Sequence, residues 1–485
     1  MEKKYSFKRI DLIILGVILI AAAIVRCYKI DAPLADFHSW RQADTAAVAR
    51  NLERTGFDVL HPTYDDFSNL QSGVDNPKGY RFVEFPIYNV MFAALHTAAP
   101  ALSLETWGRI VAVFFSLICI ASLYYLAIME ASRPTAIFTA ITYAIMPFFV
   151  YFSRVILPET PAIACAMASL AFLHFFTTSH SKSRQIIFIS LSCILFSIAL
   201  LIKPTVIFFG LPLIVLFAQK YKYSLPKKLH VFFYFILLIL PFAAWRYYIT
   251  KFPEGIPASS WLFTQVNTFE GPKEIFMRPA FFRWIFFERI NNLILGGYLT
   301  AFFILGLIRK QKAFLLLSII ISSFIYIFTF QGGNVQHEYY QVIAFPGIAL
   351  AVGLGAALII ETTKTFIHPV FTMPIIIAVF SASFLFSWFQ VKGYYVIPQD
   401  LLLMAKIIQT FTKPTDMVIA DRMGDTTLLY LSDRKGAPLL YRSIEEMQKM
   451  GYSYILTDKK EIVAQMVEKK YVKLFENNQF ALFKL

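Results

Sequence analysis

The chain has 485 residues, of which 57% are hydrophobic and 16% charged, and its formal net charge is +14. Its mean hydropathy is +0.58. Because soluble globular proteins are about 25% charged, this composition excludes an ordinary soluble enzyme. Continuous apolar runs of about 18 residues or more predict a polytopic α-helical membrane protein rather than a β-barrel. The basic residues are scattered between these runs, which is typical of cytoplasmic loops and contacts with membrane lipids and argues against nucleic-acid binding.

The first hundred residues predict one span followed by an outer loop. The N-terminus is basic, so the first span, roughly 10–27, should lead outward. The loop covers 28–84, and its alanines predict a helix over 41–54 on the membrane surface. The apolar segment 85–100 is short for a span. We expect an interfacial helix that stays outside.

Ten further spans bring the predicted number to about eleven. They are expected near 108–128, 135–152, 160–178, 186–202, 204–219, 229–249, 290–308, 313–330, 339–360 and 369–391. The intervening inner loops then hold Arg133, Lys182, Arg184, Lys220, Lys222, Lys227, Lys228, Arg309, Lys310, Lys312 and Lys364. Counting 85–100 as a span would put most of these residues outside, against the positive-inside rule.

Composition changes at Lys392, which predicts a transmembrane domain over 1–391 and a soluble extracytoplasmic domain over 392–485. The second domain reads as a small α/β fold. Strands are expected at 417–420 and 454–457, helices at 443–450 and 462–469, and a hairpin of 472–475 with 480–483.

The stretch from His38 to Asp44 places an imidazole, an indole, a guanidinium, an amide and a carboxylate beside the membrane. Asp44 could take a proton from an incoming hydroxyl as a general base. The alternative is a structural carboxylate paired with Arg41 or Arg50. Other candidates for the base in the same region are Asp36, Asp65, Asp66 and Glu84.

Lys203 lies between two apolar runs, where a lone cation is costly and is usually functional. Pro204 should open the next helix, so the ammonium lies beside a helix N-terminus and could bind a lipid-linked phosphate. Snorkelling to the interface is the alternative. Arg154 suits bidentate phosphate contacts. Glu159 follows Pro158 and could contact substrate or merely interact with the helix dipole.

The sequence from His337 to Tyr340 precedes another apolar run. Tyr339 and Tyr340 could be interface anchors, whereas His337 and Glu338 could bind a sugar hydroxyl or complete an anion pocket. His38 and His337 do not have metal-binding spacing, so we expect no metal site and no cofactor. The nucleotide-binding and hydrolase motifs GxxxxGK[ST], GxGxxG, GxSxG and HExxH do not occur.

These motifs together resemble one enzyme family. The outer-loop helix, Glu84 to Tyr88, Ser153-Arg154 with Pro158-Glu159, Lys203-Pro204 and His337 to Tyr340 occur in the order seen in polyprenyl-phosphate-sugar glycosyltransferases. These are GT-C type membrane enzymes of glycosyltransferase family 39, which include protein mannosyltransferases and the aminoarabinose transferases of lipid A. The resemblance covers roughly residues 10–350.

The resemblance implies an inverting transfer, in which an acid of the first outer loop activates the acceptor while lipid phosphate leaves. It assigns the acid to Asp44 and the phosphate contacts to Lys203 and Arg154. Many relatives have an Asp-Glu pair in the first loop, whereas this chain has Trp40 to Asp44 there. Aminoarabinose transferases have a Lys where this chain has Phe85. Relatives also often have an Asp where this chain has Glu159.

The sequence therefore predicts a membrane glycosyltransferase of the bacterial inner membrane with a polyprenyl-phosphate sugar donor and an unknown extracytoplasmic acceptor. A lipid-linked glycan transporter is the alternative, although the inverted repeats of such proteins are missing. Asp44 is the expected catalytic residue, and Lys203, Arg154 and Arg41 are the expected phosphate ligands. The expected substrate contacts are His38, Trp40, Gln42, Glu84, Glu159, His337, Glu338, Tyr339 and Tyr340.

Overall fold

The computed structural model describes residues 7–259, 261–266, 273–275, 278–309, 313–363 and 369–485. Two compact units make up the chain. The helical unit consists of Met1–Ile30, Arg109–Ala244 and Ser259–Gly393, and the mixed unit of Asp31–Gly108, Trp245–Ala258 and Tyr394–Leu485. Of the residues used in the topology argument, Lys310, Lys312 and Lys364 lie outside the described residues.

The helical unit contains a helix at the position of every predicted span. Its α-helices are Arg9–Arg26, Leu104–Glu130, Arg133–Ile145, Pro147–Phe152, Glu159–Thr178, Lys182–Ile202, Gly210–Tyr221, Leu229–Ile249, Trp261–Thr264, Pro279–Phe282, Leu299–Ile308, Phe314–Thr329, Gln331–Gln336, Phe345–Thr363 and Pro369–Val391. The 3₁₀ segments Pro204–Phe209, Lys222–Lys227, Glu338–Ala344 and Lys392–Tyr395 and the π-helix Arg283–Ile294 connect several of them. A short pairing of Gln265–Val266 with Lys273–Glu274 completes the unit's described elements.

Two predicted spans are interrupted for identifiable reasons. Segment 135–152 breaks at Met146, which is extended because Pro147 follows it. Segment 290–308 breaks at Gly296 and Gly297, both with positive φ. A Cβ on Gly296 would lie 2.0 Å from the Ser383 carbonyl oxygen, so this close approach requires glycine.

Among the described residues, seven helices are long and apolar enough to cross a membrane, and two shorter apolar helices accompany them. The seven are Leu104–Glu130, Glu159–Thr178, Lys182–Ile202, Pro204–Lys227, Leu229–Ile249, Glu338–Thr362 and Val370–Phe411. The count of about eleven spans, and their direction, stay predictions.

The helices of the helical unit differ in how much of their surface is buried, so central helices can be distinguished from peripheral ones. Almost every residue of Glu159–Thr178 is buried, whereas Leu229–Ile249 exposes apolar side chains such as Phe232, Phe233 and Ile236. An exposed apolar surface of this kind suits contact with lipid. Glu159 and His174, at opposite ends of the central helix, are therefore polar groups inside the protein.

The mixed unit combines the first loop with the C-terminal residues. Its helices are Ser39–Arg54, Ile87–Ala98, Pro253–Gly255 (3₁₀), Gln399–Phe411, Thr427–Ser432, Ile444–Lys449 and Lys460–Glu468. Strands run in the order Lys435–Ala437, Met417–Asp421, Tyr452–Thr457, Ala481–Lys484 and Val472–Glu476. The first three are parallel, and the last two pair antiparallel.

The predicted C-terminal strands, helices and hairpin are confirmed. The helix after Ser443 has a capping box with Glu446, as its sequence indicates. The helices Gln399–Phe411 and Thr427–Ser432 were not predicted, although Leu401, Met404 and Ile408 of the first have helical spacing and pack in the core.

The first loop was assigned to the transmembrane domain, and this assignment is corrected by the structure. Residues 31–108 form one unit with the C-terminal residues, although the division at Gly393 lies close to the predicted boundary at 391. Backbone hydrogen bonds of the loop with the first strand of the sheet explain this: Gly436 donates to the Asp65 carbonyl and Phe67 donates to the Gly436 carbonyl. The loop thus extends the sheet by main-chain pairing.

Candidate active site

The predicted outer-loop helix is present as Ser39–Arg54, and eleven of its sixteen residues are buried. Its small residues, including Ala43, Ala46 and Ala47, allow close packing, and the helix is enclosed by the mixed unit rather than lying open on one face. His38 precedes the helix in a left-handed conformation, with its ring 4.2 Å from the Phe37 ring. The helix therefore holds its polar side chains in fixed surroundings.

Asp44 is fully buried and has two partners from distant parts of the sequence. Arg81 donates through Nη2 to Oδ2 at 2.7 Å, and the Thr426 hydroxyl donates to Oδ1 at 2.7 Å. The expected structural pairing of Asp44 with Arg41 or Arg50 is wrong. Charge-assisted hydrogen bonds to both oxygens hold the carboxylate in one orientation.

Thr426 and Arg81 were not identified from the sequence. Thr426 lies 382 residues from Asp44, and no local pattern marks it as a partner. Its hydroxyl also lies 3.2 Å from the Trp40 carbonyl oxygen, so it contacts the helix at two positions. Arg81 Nε and Nη1 are buried and have no hydrogen-bond partner among the described residues. Such donors suit an anionic or hydroxyl-rich ligand.

The neighbouring polar side chains of the helix are paired with acids of the first loop. Arg41 forms an ion pair with Glu84, with 2.5 Å between Nη2 and Oε1. Gln42 donates to Asp36 Oδ1 at 2.7 Å. Arg41 was predicted to bind the donor phosphate, and Gln42 and Glu84 to contact substrate. All three contact other protein groups in this structure.

Asp65 and Asp66, the competing candidates for the base, have different surroundings. Asp65 pairs with Arg50 at 2.5 Å, yet burial raises its pKa above the ordinary value. Asp66 accepts hydrogen bonds from the Tyr64 hydroxyl and the Ser68 amide. Burial raises the pKa of Asp66 to about 6, and the nearby charge of Asp44 acts in the same direction.

In the helical unit, Lys203 is buried and forms an ion pair with Glu159, with 2.7 Å between Nζ and Oε1. Pro204 opens the next helical segment, as predicted, and Lys203 occupies its N-cap position. The predicted phosphate ligand is therefore paired with the carboxylate that was predicted to contact substrate. An anion would have to replace Glu159 as a partner of the ammonium group.

Arg154 is also buried, and its Nη1 donates to the carbonyl oxygen of Tyr28. The preceding Ser153 accepts a 2.8 Å hydrogen bond from Arg26 Nε. Arg26 further donates to the carbonyls of Tyr143 and Ala144. These bonds tie the segment before Glu159 to the first helix, and Arg26 is a buried cation that the sequence did not indicate.

The stretch from His337 to Tyr340 packs tightly. Glu338 forms an ion pair with Arg289, and the Tyr340 carbonyl accepts from the Tyr326 hydroxyl at 3.0 Å. The His337 ring stacks on Tyr339 with 5.5 Å between centroids. In the part of the chain that the structure describes, no group of three His, Cys, Asp or Glu could hold a metal ion.

Comparison with known proteins gives the family resemblance. The family model described as dolichyl-phosphate-mannose-protein mannosyltransferase matches residues 90–245. No curated protein matches the chain by sequence. A solved structure, ArnT from Cupriavidus metallidurans bound to undecaprenyl phosphate, matches with a TM-score of 0.63 and 13% identity, covering 98% of this chain and 97% of ArnT.

The chain has the fold of these membrane glycosyltransferases, the GT-C fold. The resemblance predicted from its motifs is confirmed. The chain is also similar to the oligosaccharyltransferase AglB from Archaeoglobus fulgidus, solved with an inhibitory peptide and a dolichol-phosphate. In that match the TM-score is 0.56 and the identity 13%, covering 97% of this chain and 74% of AglB. The mycobacterial arabinofuranosyltransferase AftD matches with a TM-score of 0.60 and 12% identity, covering 100% of this chain and 42% of AftD.

Proposed function

We propose that this glycosyltransferase transfers a sugar, with inversion, from a polyprenyl-phosphate-linked donor to an extracytoplasmic acceptor. The observation that carries the proposal is the buried Asp44 carboxylate, held by Arg81 and Thr426 at 2.7 Å each. The undecaprenyl phosphate in the ArnT structure and the dolichol-phosphate in the AglB structure support the donor class. We place the reaction on the outer face of a bacterial inner membrane, with the acceptor a lipid, glycan or protein.

In this reaction the acceptor hydroxyl oxygen forms a bond to the anomeric carbon, and the bond from that carbon to the phosphate oxygen breaks. The departing polyprenyl phosphate keeps the electron pair of the broken bond, and Asp44 takes the hydroxyl proton. The hydrogen bonds to both oxygens hold the carboxylate in one orientation, which positions it for this proton transfer. Asp36 and Asp66 are the alternative bases.

The basic groups of the helical unit are proposed to bind the donor phosphate. Lys203 would exchange Glu159 for a phosphate oxygen, and Arg154 would contribute a second cation. Cationic donors in a water-poor site stabilise developing phosphate charge strongly. His38, Trp40, Gln42, Glu84, His337, Glu338, Tyr339 and Tyr340 are retained as proposed contacts to the sugar or acceptor, and Arg41 as a further phosphate contact.

The test is a transfer assay with the purified full-length protein, radiolabelled polyprenyl-phosphate sugars and a membrane extract. The expected result is label in an acceptor molecule, with release of polyprenyl phosphate in equal amount. A parallel measurement in reconstituted vesicles follows movement of the labelled donor across the bilayer. Movement without transfer, for every sugar tried, would overturn the proposal in favour of a transporter.

A further inference from the structure

A polar cavity of about 290 Å³ lies within the helical unit at the ends of three membrane-length helices. Leu104–Glu130 contributes Glu130, Glu159–Thr178 contributes His174, and Pro204–Lys227 contributes Gln219 and Lys220. The proposed reaction uses none of these residues.

Glu130 and His174 provide the acidic side of the cavity. His174 is buried, and its Nδ1 lies 2.7 Å from the Tyr125 hydroxyl while Nε2 lies 3.5 Å from Glu130 Oε1. Within the described residues, Glu130 has no Lys or Arg partner within 4.0 Å. Since helix C-termini carry negative partial charge, the ends of two helices here reinforce the attraction of this carboxylate for a cation.

Lys220 provides the basic side. Its Nζ donates to the carbonyl oxygens of Phe176 and Thr177 at 3.1 and 3.2 Å, which caps the end of the central helix. An ammonium group has three N–H donors, so one donor remains for a ligand. The Gln219 amide lies beside it in the cavity lining.

We propose that this cavity binds the ethanolamine phosphate head group of a phospholipid. The ligand's primary ammonium would bind Glu130, and its phosphate would bind Lys220 and Gln219. A zwitterion fits because the lining carries one carboxylate and one ammonium group. A phospholipid is the source favoured because the cavity lies at helix ends, where a membrane presents its head groups. The inference does not rest on the proposed reaction.

Native mass spectrometry of the delipidated full-length protein tests this inference, with dioleoyl phosphatidylethanolamine, phosphatidylcholine and phosphatidylglycerol as probes. Retention of phosphatidylethanolamine should exceed that of the other two by about ten-fold, since charge-assisted hydrogen bonds to both ends of the zwitterion require a primary ammonium and a phosphate. Free glycerophosphoethanolamine, which has the same head group without acyl chains, should displace the lipid. Equal retention of the three lipids would overturn the proposal.

Two variants separate the two ends of the head group. Glu130→Gln should abolish the preference for phosphatidylethanolamine over phosphatidylcholine, whereas Lys220→Met should weaken retention of all three lipids. Glu361→Gln is the matched control, because Glu361 is a carboxylate at another helix end of the same unit and pairs with Arg309. An unchanged preference in a folded Glu130→Gln protein would contradict the assignment. If the Glu130→Gln protein does not fold, the proposal is tested by lipid retention in Lys220→Met and by competition with glycerophosphoethanolamine.

Discussion

The mixed unit and the helical unit both pair carboxylates with cations, but the partner that we expect to act in the reaction differs between them. In the mixed unit, guanidinium groups fix carboxylates: Arg81 binds Asp44, Arg41 binds Glu84, and Arg50 binds Asp65. In the helical unit, the buried Glu159 and the partly buried Glu338 compensate Lys203 and Arg289.

The two units differ in which member of the ion pair, the carboxylate or the cation, we expect to take part in the reaction. In the mixed unit a carboxylate is oriented for proton transfer, and the cation is its support. In the helical unit a cation is expected to bind phosphate, and the carboxylate occupies its place until the anion arrives. Buried ion pairs contribute little net stability, and we propose a functional reason for two of them, Asp44–Arg81 and Lys203–Glu159. Substitutions on each side of the pairs test this division.

The largest effect is expected from Asp44→Asn. Loss of the general base should lower the transfer rate by about 10²- to 10⁴-fold, while the amide keeps the shape of the side chain and can still accept from Thr426. The measurement is the initial rate of label transfer at saturating donor. Asp421→Asn is the matched control, because Asp421 is also a buried carboxylate of the same unit and is paired with Lys459. Normal transfer by Asp44→Asn would remove this residue from the mechanism and direct attention to Asp36 or Asp66.

A smaller effect is expected from the Lys203–Glu159 pair. Lys203→Met should raise the donor KM by about ten- to a hundred-fold, since a buried charge-assisted contact to phosphate is lost. Because this change also leaves Glu159 buried without its partner, the double variant Lys203→Met/Glu159→Gln is the necessary control. The double variant should stay impaired in donor binding, and Glu159→Gln alone should bind the donor more tightly. Normal donor affinity in the double variant would mean that the Lys203–Glu159 pair is structural and that Lys203 does not bind the phosphate.

Sequence patterns predicted the helices and strands whose formation depends only on residues close together in the sequence. The span positions, the helix at Ser39–Arg54, the short helix at Ile87–Ala98 and the C-terminal hairpin all follow from local periodicity and turn residues. The number of membrane spans could not be derived as directly from the apolar segments. Pro147 and the Gly296-Gly297 pair divide apolar segments that read as continuous.

The candidate site was less predictable because its contacts join distant segments. The sequence indicated Asp44, Lys203 and Glu159, but local spacing suggested partners within the helix for Asp44. Its actual partners, Arg81 and Thr426, depend on how the first loop pairs with the C-terminal sheet. That pairing, Asp66 with Gly436, has no signature in either segment alone. Tertiary pairing also explains why the first loop was assigned to the wrong unit.

A third prediction concerns the support of Asp44 by the C-terminal part of the chain. Thr426→Val removes a hydroxyl without changing the shape, so it should lower kcat by about ten-fold, the lower end of the worth of one hydrogen bond to a charged group. The donor KM should not change, since the hydroxyl only orients the carboxylate. Thr426→Ser restores the hydroxyl and should restore kcat. A loss of kcat in both variants, or a rise in KM with normal kcat, would contradict this role.

The smallest effect is expected on stability, from Asp66→Asn. Because burial raises the pKa of Asp66 to about 6 from 3.8, the folded protein binds its proton more tightly than the unfolded chain. The stability contributed by the protonated form is full below pH 3.8 and is lost as the pH rises through about 6. The loss is at most about 3 kcal/mol.

The asparagine side chain of this variant cannot ionise, so the variant should lack this loss. Its Tm should exceed that of the unmodified protein by a few degrees at about pH 8, and the difference should shrink toward about pH 4. Asp75→Asn is the control, because Asp75 is a more exposed carboxylate of the same loop and pairs with Arg442. A gain of equal size at both pH values would mean that the amide stabilises by its hydrogen bonds alone. A loss of transfer in Asp66→Asn, with Asp44→Asn active, would instead identify Asp66 as the base, since its raised pKa lies close to the pH at which a general base works best.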